Sequence, residues 1–592
     1  MNILIDKIRI KNFRALKDIE VNLEPITILV GANNAGKTTL LRALNSVLGI
    51  SRNQINQDDL FIDKDGKQAS KEIIIDIRIV PIDENGNRIN DFDNKWTSKL
   101  GGTEPTFDTT GEFFAFRTIY NFGIEDTPSI IYKQFSDWEG KQLSENDLKT
   151  INQIRNNVKM YFIDAQRDIL EDSKQRTSFF GKLVSNLDYG ENIEKLKSQI
   201  ETLNKSAIEN SEVLKHLKEE LKQLNQTTQT KGEGVTLNPF PKKISDLHKG
   251  MKVYFQDNNS DAFSMENHGM GTRSWASIIT AGAFTSWQTK QIDEKIENGK
   301  ETDLLFPIFA LEEPEAHLHP NAQRTLYKQL KNFKGQKIVS THSPYIAGQA
   351  ELEELRHFYK DGDASVVSEI DLNGDSEIKR KIKNEVIETR GELLFAKTIV
   401  TFEGQTEKLC LPIFAEKYFG CSVFELGLFF IEVNGNNHKP FIKLADSLNI
   451  PWFIFSDYDK PNIQKGVKNA LEFIGQDLNS SNLVKLEKSI ENYLIDSGYQ
   501  DEIKKGINEF YLQSCDEITP SQQIEAGQNR VNNWTAEELK NELKKDDSKV
   551  KYPIFWANEI IKREDALCVP PKIKELFDKI AASLNLKPNT NE

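Results

Sequence analysis

The chain has 592 residues, with 76 Lys and Arg against 90 Asp and Glu, and a formal net charge of −14. That balance excludes a surface coated with positive charge for non-specific nucleic-acid binding, so any such contact is confined to a local basic track. At 38% hydrophobic and 28% charged residues, the composition is that of a soluble globular protein too long for one core, which sets an expectation of roughly two to four domains.

No run approaches the roughly 18 apolar residues of a membrane span, and no membrane contact is expected. Cys410, Cys421, Cys515 and Cys568 include no CxxC pair, the usage of a reducing cytoplasm rather than of a disulfide framework or a zinc site. Met1 to Lys11 alternates apolar and charged residues and reads as a first strand, not a signal peptide.

Ile26 to Val30 is a short apolar strand, followed by Gly31, Ala32, Asn33, Asn34, Ala35, Gly36, Lys37, Thr38 and Thr39, then Leu40, Leu41 and Leu44 at helical spacing. Strand, glycine-rich turn and helix come in the order a phosphate-binding loop requires. The glycines let backbone N–H groups curl around a phosphate at a helix N-terminus, Lys37 neutralises the β- and γ-phosphates of ATP, and Thr38 ligates Mg2+.

From Ile193, positions Leu196, Ile200, Leu203, Ala207, Asn210, Leu214, Leu217, Leu221 and Leu224 hold one heptad register over about 32 residues, about 48 Å if helical throughout. The seam predicts a helical dimerisation insertion. Packing against its own head, or a break near Asn210 into a hairpin, are the alternatives. Gln226 to Pro241, rich in Thr, Gly and Pro, reads as the return to the head.

Leu304 to Leu311 is an apolar strand running into Glu312, Glu313, Pro314 and Glu315, and Lys337 to Ser340 is a shorter one running into Thr341 and His342. An acid at a buried strand's carboxyl end can hold Mg2+ and the next can polarise the attacking water, which assigns Glu312 to the metal and Glu313 to catalysis. His342 is placed to reach the γ-phosphate. Pro307 is unusual inside a central strand.

Ile378 to Lys383 reads as linker plus helix. Beyond it, Thr398 to Phe402, Leu428 to Val433 and Pro451 to Phe455 are apolar strands separated by helical patterns, followed respectively by Glu403 and Glu407, by Asn434 and Gly435, and by Asp457 and Asp459. This is a parallel α/β pattern, in which sites form at strand carboxyl ends. Acids crowded there repel unless cations neutralise them, and oxygen-only ligation suits Mg2+ or Mn2+ acting on a phosphodiester. The reading requires the acids to gather in an accessible pocket.

Ile8 to Arg14, the phosphate loop, Ala310 to Pro320 and Ser340 to Pro344 together resemble the ABC-type ATPase head of recombination and chromosome-maintenance proteins. The resemblance implies a signature loop that closes over another subunit's ATP. Its best match is His268 to Arg273, with Gly269 and Gly271 contacting nucleotide and a helix beginning near Ser274; the usual serine is replaced by Asn267 and His268. Leu394 to Glu407, with the acids after the third strand, resembles the TOPRIM domain of the overcoming-lysogenization-defect (OLD) nucleases, which join head, helical insertion and TOPRIM domain in this order.

That resemblance implies an α/β fold: an ABC-type ATPase head (1–165 and 241–360), a helical insertion (166–240), a linker and helix (361–394), and a C-terminal TOPRIM domain with a helical extension (395–592). It implies a further metal-binding acid, Glu491 ahead of Glu487, and a catalytic lysine, Lys551 ahead of Lys549. Implied partners are DNA, further copies of the chain, and a helicase-like protein as in Gabija systems or a retron reverse transcriptase with its RNA/DNA. The implied activity is an ATP-regulated, metal-dependent DNA endonuclease in cytoplasmic antiphage defence. A topoisomerase or primase on the same metal fold, or an ATP-driven scaffold with an inactive TOPRIM domain, are the competing readings.

Overall fold

The computed structural model describes residues 2–50, 55–68, 70–100, 105–123, 127–139, 148–175, 178–179, 182, 193–215, 254–255, 263–300, 302–371, 375–433, 436–513 and 531–589. The N-terminal alternation does form a strand, β1 (Asn2–Phe13), paired antiparallel with β2 (Leu16–Asn22). These two, β4 (Glu72–Ile82), β5 (Thr106–Asp108), β6 (Gly111–Asn121) and β7 (Ser129–Phe135) make a first sheet in the order β2-β1-β4-β6-β5, with β7 also on β6.

The second sheet carries the phosphate loop. Its order is β14-β13-β3-β12-β11-β8, from β3 (Ile26–Gly31), β8 (Val158–Ile163), β11 (Phe306–Glu312), β12 (Gln336–Ser340), β13 (Leu355–Asp361) and β14 (Ala364–Ser368). All its pairings are parallel except β13 with β14. Near-continuous apolar runs such as Ile26 to Val30 suit strands buried on both faces, and every residue of β3 is buried. Pro307 is tolerated because pairing of β11 with β12 starts one residue later, at Ile308 opposite Gln336. A two-residue ribbon, β9 (Tyr254–Phe255) with β10 (Phe263–Ser264), precedes the long helix Met270–Glu297.

Two boundaries differ from expectation. The hairpin of β13 and β14, turned at Gly362, extends the head's sheet to Ser368, past the expected limit at residue 360. The long helix starts at Met270 rather than near Ser274, with Gly269 as its N-cap.

Nor does the insertion's helix run on as one rod. It spans Ile193–Asn210 and is interrupted at Ser211 before resuming over residues 212–215. The Asn210 amide donates back to the Ser206 carbonyl at 2.9 Å, a local bond that competes with continuation of the helix. Leu217, Leu221 and Leu224, and the stretch Gln226 to Pro241, lie outside the described residues, as do Asn434, Gly435 and Cys515.

The C-terminal domain is built on β15 (Thr398–Phe402), β16 (Leu428–Glu432), β17 (Trp452–Ser456) and β18 (Leu483–Lys485), all parallel in the order β16-β15-β17-β18. The helix Gln405–Phe419 packs against the extension helices Pro553–Ile560 and Pro571–Leu584. One hydrophobic core runs from Ile28 and Val30 of the head through Val386 and Ile387 of the linker to Ile399, Ile431 and Ile454. Head and C-terminal domain thus bury apolar surface against a common interior. Among the described residues no helix is long and apolar enough to cross a membrane.

Candidate active sites

In the head, the phosphate loop is shaped by backbone that only glycine takes without strain. Gly31 has φ 122°, and a Cβ there would stand 2.0 Å from the Phe358 carbonyl oxygen; Gly36 has φ 106° and faces Leu16 and Ser365 at under 3 Å. Gly36 then caps the helix Lys37–Leu48, whose first turn presents free N–H groups. The Lys37 ammonium folds back onto the Gly31 and Ala32 carbonyl oxygens, both at 2.8 Å. Burial brings its pKa down to about 8, opposed by the charges of Glu313 and Glu315.

The acids at the end of β11 meet this loop as expected. Thr38 Oγ1 donates to Glu312 Oε1 at 2.6 Å, so a hydroxyl and a carboxylate suited to Mg2+ stand side by side at the helix start. Glu313 adopts φ 42° and its Oε1 lies 3.8 Å from His342 Nε2. Burial and the nearby Lys37 charge lower the His342 pKa. Asn33, Asn34, Ala35 and Thr39 lie in the loop and first helical turn, Asn34 at φ 60°.

Two further residues support the site. Glu315 is buried and accepts from Thr341 Oγ1 at 2.7 Å and the His342 N–H at 2.8 Å, tying the ends of β11 and β12 together. Arg167, buried after β8, donates to the carbonyls of Asp164, Glu312 and Pro314. It braces the backbone on which Glu312 and Glu313 sit. Gly271 is packed so that a Cβ would meet the His317 carbonyl oxygen at 2.3 Å, whereas a Cβ on Gly269 would meet nothing within 4 Å. Gly271 is needed for close packing within the head, and only Gly269 is open.

In the C-terminal domain, four of the predicted acids converge from separate elements. Glu403 follows β15, Glu407 lies one turn into the helix Gln405–Phe419, Asp457 follows β17, and Glu491 lies in the helix Ile490–Asp496 beyond β18. Glu403 Oε1 accepts from Ser456 Oγ at 2.6 Å and faces His438 Nε2 at 3.1 Å; its Oε2 lies 3.3 Å from the Asp457 N–H. Asp457 Oδ1 accepts from the Ile490 N–H at 3.1 Å, and Glu491 Oε1 from Thr406 Oγ1 at 2.6 Å.

The Glu407 and Asp457 side chains lie close enough to share a hydrogen bond whenever either carboxyl is protonated. Burial, and then the charge of Glu491, raise Glu407 to about 8; burial, then Glu407 and Glu491, push Asp457 well up. Burial and the crowding foreseen from sequence thus both disfavour ionisation of this pair. Among the described residues no three acidic, imidazole or thiol groups stand ready-made for a metal ion, because each carboxylate is turned to a protein donor or to its neighbour. The donor set still fits a hard cation, being all oxygens and crowded together.

The pocket is less open than expected. The Glu403 side chain is only 6% exposed, and Glu407 and Glu491 are buried. Partial exposure runs along Glu403 to Gln405 and Asp457 to Tyr458, ending at the exposed Asp459. Among the described residues, Asp459 takes part in none of the hydrogen bonds that link the other four acids to their surroundings. Lys551 is not brought to the acids: it is exposed and paired with Asp547 at 2.6 Å, and Lys549 is 4.0 Å from Asp546. Glu487 is exposed as well. Cys410 and Cys421 carry free thiols.

Sequence reasoning missed His438, Ser456 and Thr406, which orient the acids. Ser456 and Thr406 each adjoin a predicted acid or its strand end, a detectable signal. His438 follows the second strand after a polar turn, and only its burial reveals it.

A phosphate-loop ATPase head fused to a parallel α/β domain with acids at its strand ends defines a two-domain class in which nucleotide and divalent-metal sites share one chain. Residues 4–347 match the family described as AAA ATPase domain, and residues 394–459 match the overcoming lysogenization defect protein-like TOPRIM domain. The chain belongs to this AAA ATPase family and carries an OLD-like TOPRIM domain. It is 27% identical over 445 residues to the OLD nuclease of Thermus scotoductus, covering 69% of this chain and 72% of that protein. It is 23% identical to Endonuclease GajA of Bacillus cereus (79% and 77% covered) and 22% identical to the Old nuclease of Escherichia phage P2 (78% of each).

Proposed function

We propose that the chain is an ATP-regulated, divalent-metal-dependent DNA endonuclease acting in antiphage defence, alone or as the effector of a larger system. The observation that carries the reading is the convergence of Glu403, Glu407, Asp457 and Glu491 on one end of a parallel sheet. In the head, the loop N–H groups and Lys37 bind the nucleotide phosphates, Thr38 and Glu312 hold the metal, Glu313 accepts a proton from the attacking water, and His342 contacts the γ-phosphate. In the TOPRIM domain, Glu403, Glu407, Asp457 and Glu491 would hold Mg2+ or Mn2+, and the exposed Asp459 would serve as a further ligand.

When bound, such a metal polarises the scissile phosphate and lowers the pKa of a water. Glu407 and Asp457, whose ionisation burial and neighbouring acids oppose, would hold the cation as carboxylates, its positive charge favouring their ionised forms. Names of relatives as OLD nuclease and Endonuclease GajA support the reading.

Supercoiled plasmid incubated with Mg2+ or Mn2+, with and without ATP, tests it. Nicked and linear products that disappear in Asp457→Ala are expected. Relaxed closed circles would instead indicate a topoisomerase, and identical products from the Asp457→Ala protein would refute the proposal.

A further inference from the structure

We propose that His438 is the positioning residue for Glu403, and that it leaves one carboxylate oxygen directed at the cation site; this rests on the nuclease reading above. The imidazole is completely buried, with Nδ1 2.9 Å from Thr401 Oγ1 and Nε2 3.1 Å from Glu403 Oε1. A carboxylate only accepts, so the ring nitrogen facing Glu403 carries its hydrogen. The contact with Thr401, on β15 itself, anchors the opposite side of the ring. Strand and acid are thereby locked to the start of the helix Lys439–Ser447, which His438 immediately precedes.

The two oxygens of Glu403 are treated unequally. Oε1 meets both Ser456 Oγ, at 2.6 Å, and His438 Nε2, whereas Oε2 has only the long 3.3 Å contact with the Asp457 N–H. Two donors hold one oxygen in place and leave the other with free lone pairs beside Asp457. Partners of this kind fix the orientation of metal-binding carboxylates, and their loss costs about 10- to 100-fold in metal affinity.

The test is Mn2+ binding to the full-length protein without nucleotide, read from the loss of the free-ion electron paramagnetic resonance signal. The site is identified as the fraction of binding lost in Asp457→Ala. At that site His438→Leu is expected to bind about 10- to 100-fold more weakly. His438→Gln, whose amide N–H can replace Nε2–H, recovers most of the affinity, and Thr401→Val shows a smaller loss in the same direction. Recovery by Gln separates positioning from space-filling, and if the Leu variant does not fold, the Gln and Val variants decide. Wild-type affinity in a folded His438→Leu protein, or wild-type affinity in Thr401→Val where the Leu variant does not fold, overturns the role of His438, as does a His438→Gln protein that binds no better than His438→Leu. Absence of any Asp457-dependent Mn2+ binding in the wild type overturns the nuclease reading itself.

Discussion

Replacing Glu407 by Gln removes an ionisation that the fold opposes. Burial and the charges around it raise this carboxyl from 4.5 to about 8, and each pKa unit corresponds to about 1.4 kcal/mol. Ionising Glu407 in the folded metal-free chain therefore costs about 5 kcal/mol more than in the unfolded chain, an upper limit because its titration is linked to that of Asp457. The sign follows from proton counting. Between about pH 4.5 and 8 the folded state keeps a proton that the unfolded state has released, so stability falls as pH rises through that window and levels off above it. In EDTA the wild type should already be less stable than Glu407→Gln by up to about 1.4 kcal/mol at about pH 5.5, one unit above the unfolded pKa, and the two should melt together only below about pH 4.5. By pH 8.5 the variant should be more stable by roughly 2–4 kcal/mol, or about 5–10 °C in the melting of a domain of roughly 200 residues. Adding Mn2+ should reverse the order, since the wild type gains a ligand and the variant has lost one. Thermal unfolding across this pH range provides the measurement, and parallel curves for the two proteins in EDTA would refute the reasoning.

Asp457→Ala should abolish metal-dependent plasmid cleavage, at least 100-fold below wild type, while steady-state ATP hydrolysis stays within a factor of about two. Lys37→Ala should lose ATP binding, measured with a fluorescent analogue, because the loop's only ammonium contacting Gly31 and Ala32 is gone. Glu313→Gln should retain that binding but hydrolyse ATP about 100-fold or more slowly, since Gln cannot take the water's proton. Gly271→Ala should destabilise the head by about 1–3 kcal/mol through the clash with the His317 carbonyl, whereas Gly269→Ala, with nothing within 4 Å of its Cβ, should melt like wild type.

The elements most legible in the sequence were those in which periodicity, punctuation and chemistry coincide. The run Ile26 to Val30 before Gly31 and Gly36, and the strands that deliver Glu312, Glu403 and Asp457, have apolar centres that admit no other face to solvent. Glu491 was legible only through a family likeness, because β18 is three residues long and carries little pattern of its own. The break at Ser211 was not decided by the heptads, since side-chain-to-backbone bonding at Asn210 is a local choice that spacing does not encode. Lys551 illustrates the opposite failure: a lysine's role depends on where a long exposed side chain finds a partner, and here Asp547, one helical turn away, satisfies it. His438 could not be read because its importance lies in burial and in two distant acceptors and donors, Thr401 and Glu403.

The order of the second sheet has a temporal consequence for synthesis. Strand β3 is complete by Gly31, yet both its neighbours, β12 and β13, come from Gln336 onward. At about 5–20 residues per second, the nascent segment waits on the order of half a minute before either flank leaves the ribosome. The antiparallel pairings of β1, β2, β4, β6 and β7 involve only residues up to Phe135, so that part can assemble during the wait. The nucleotide pocket, although encoded near the start of the message, is among the last features of the head to come into existence.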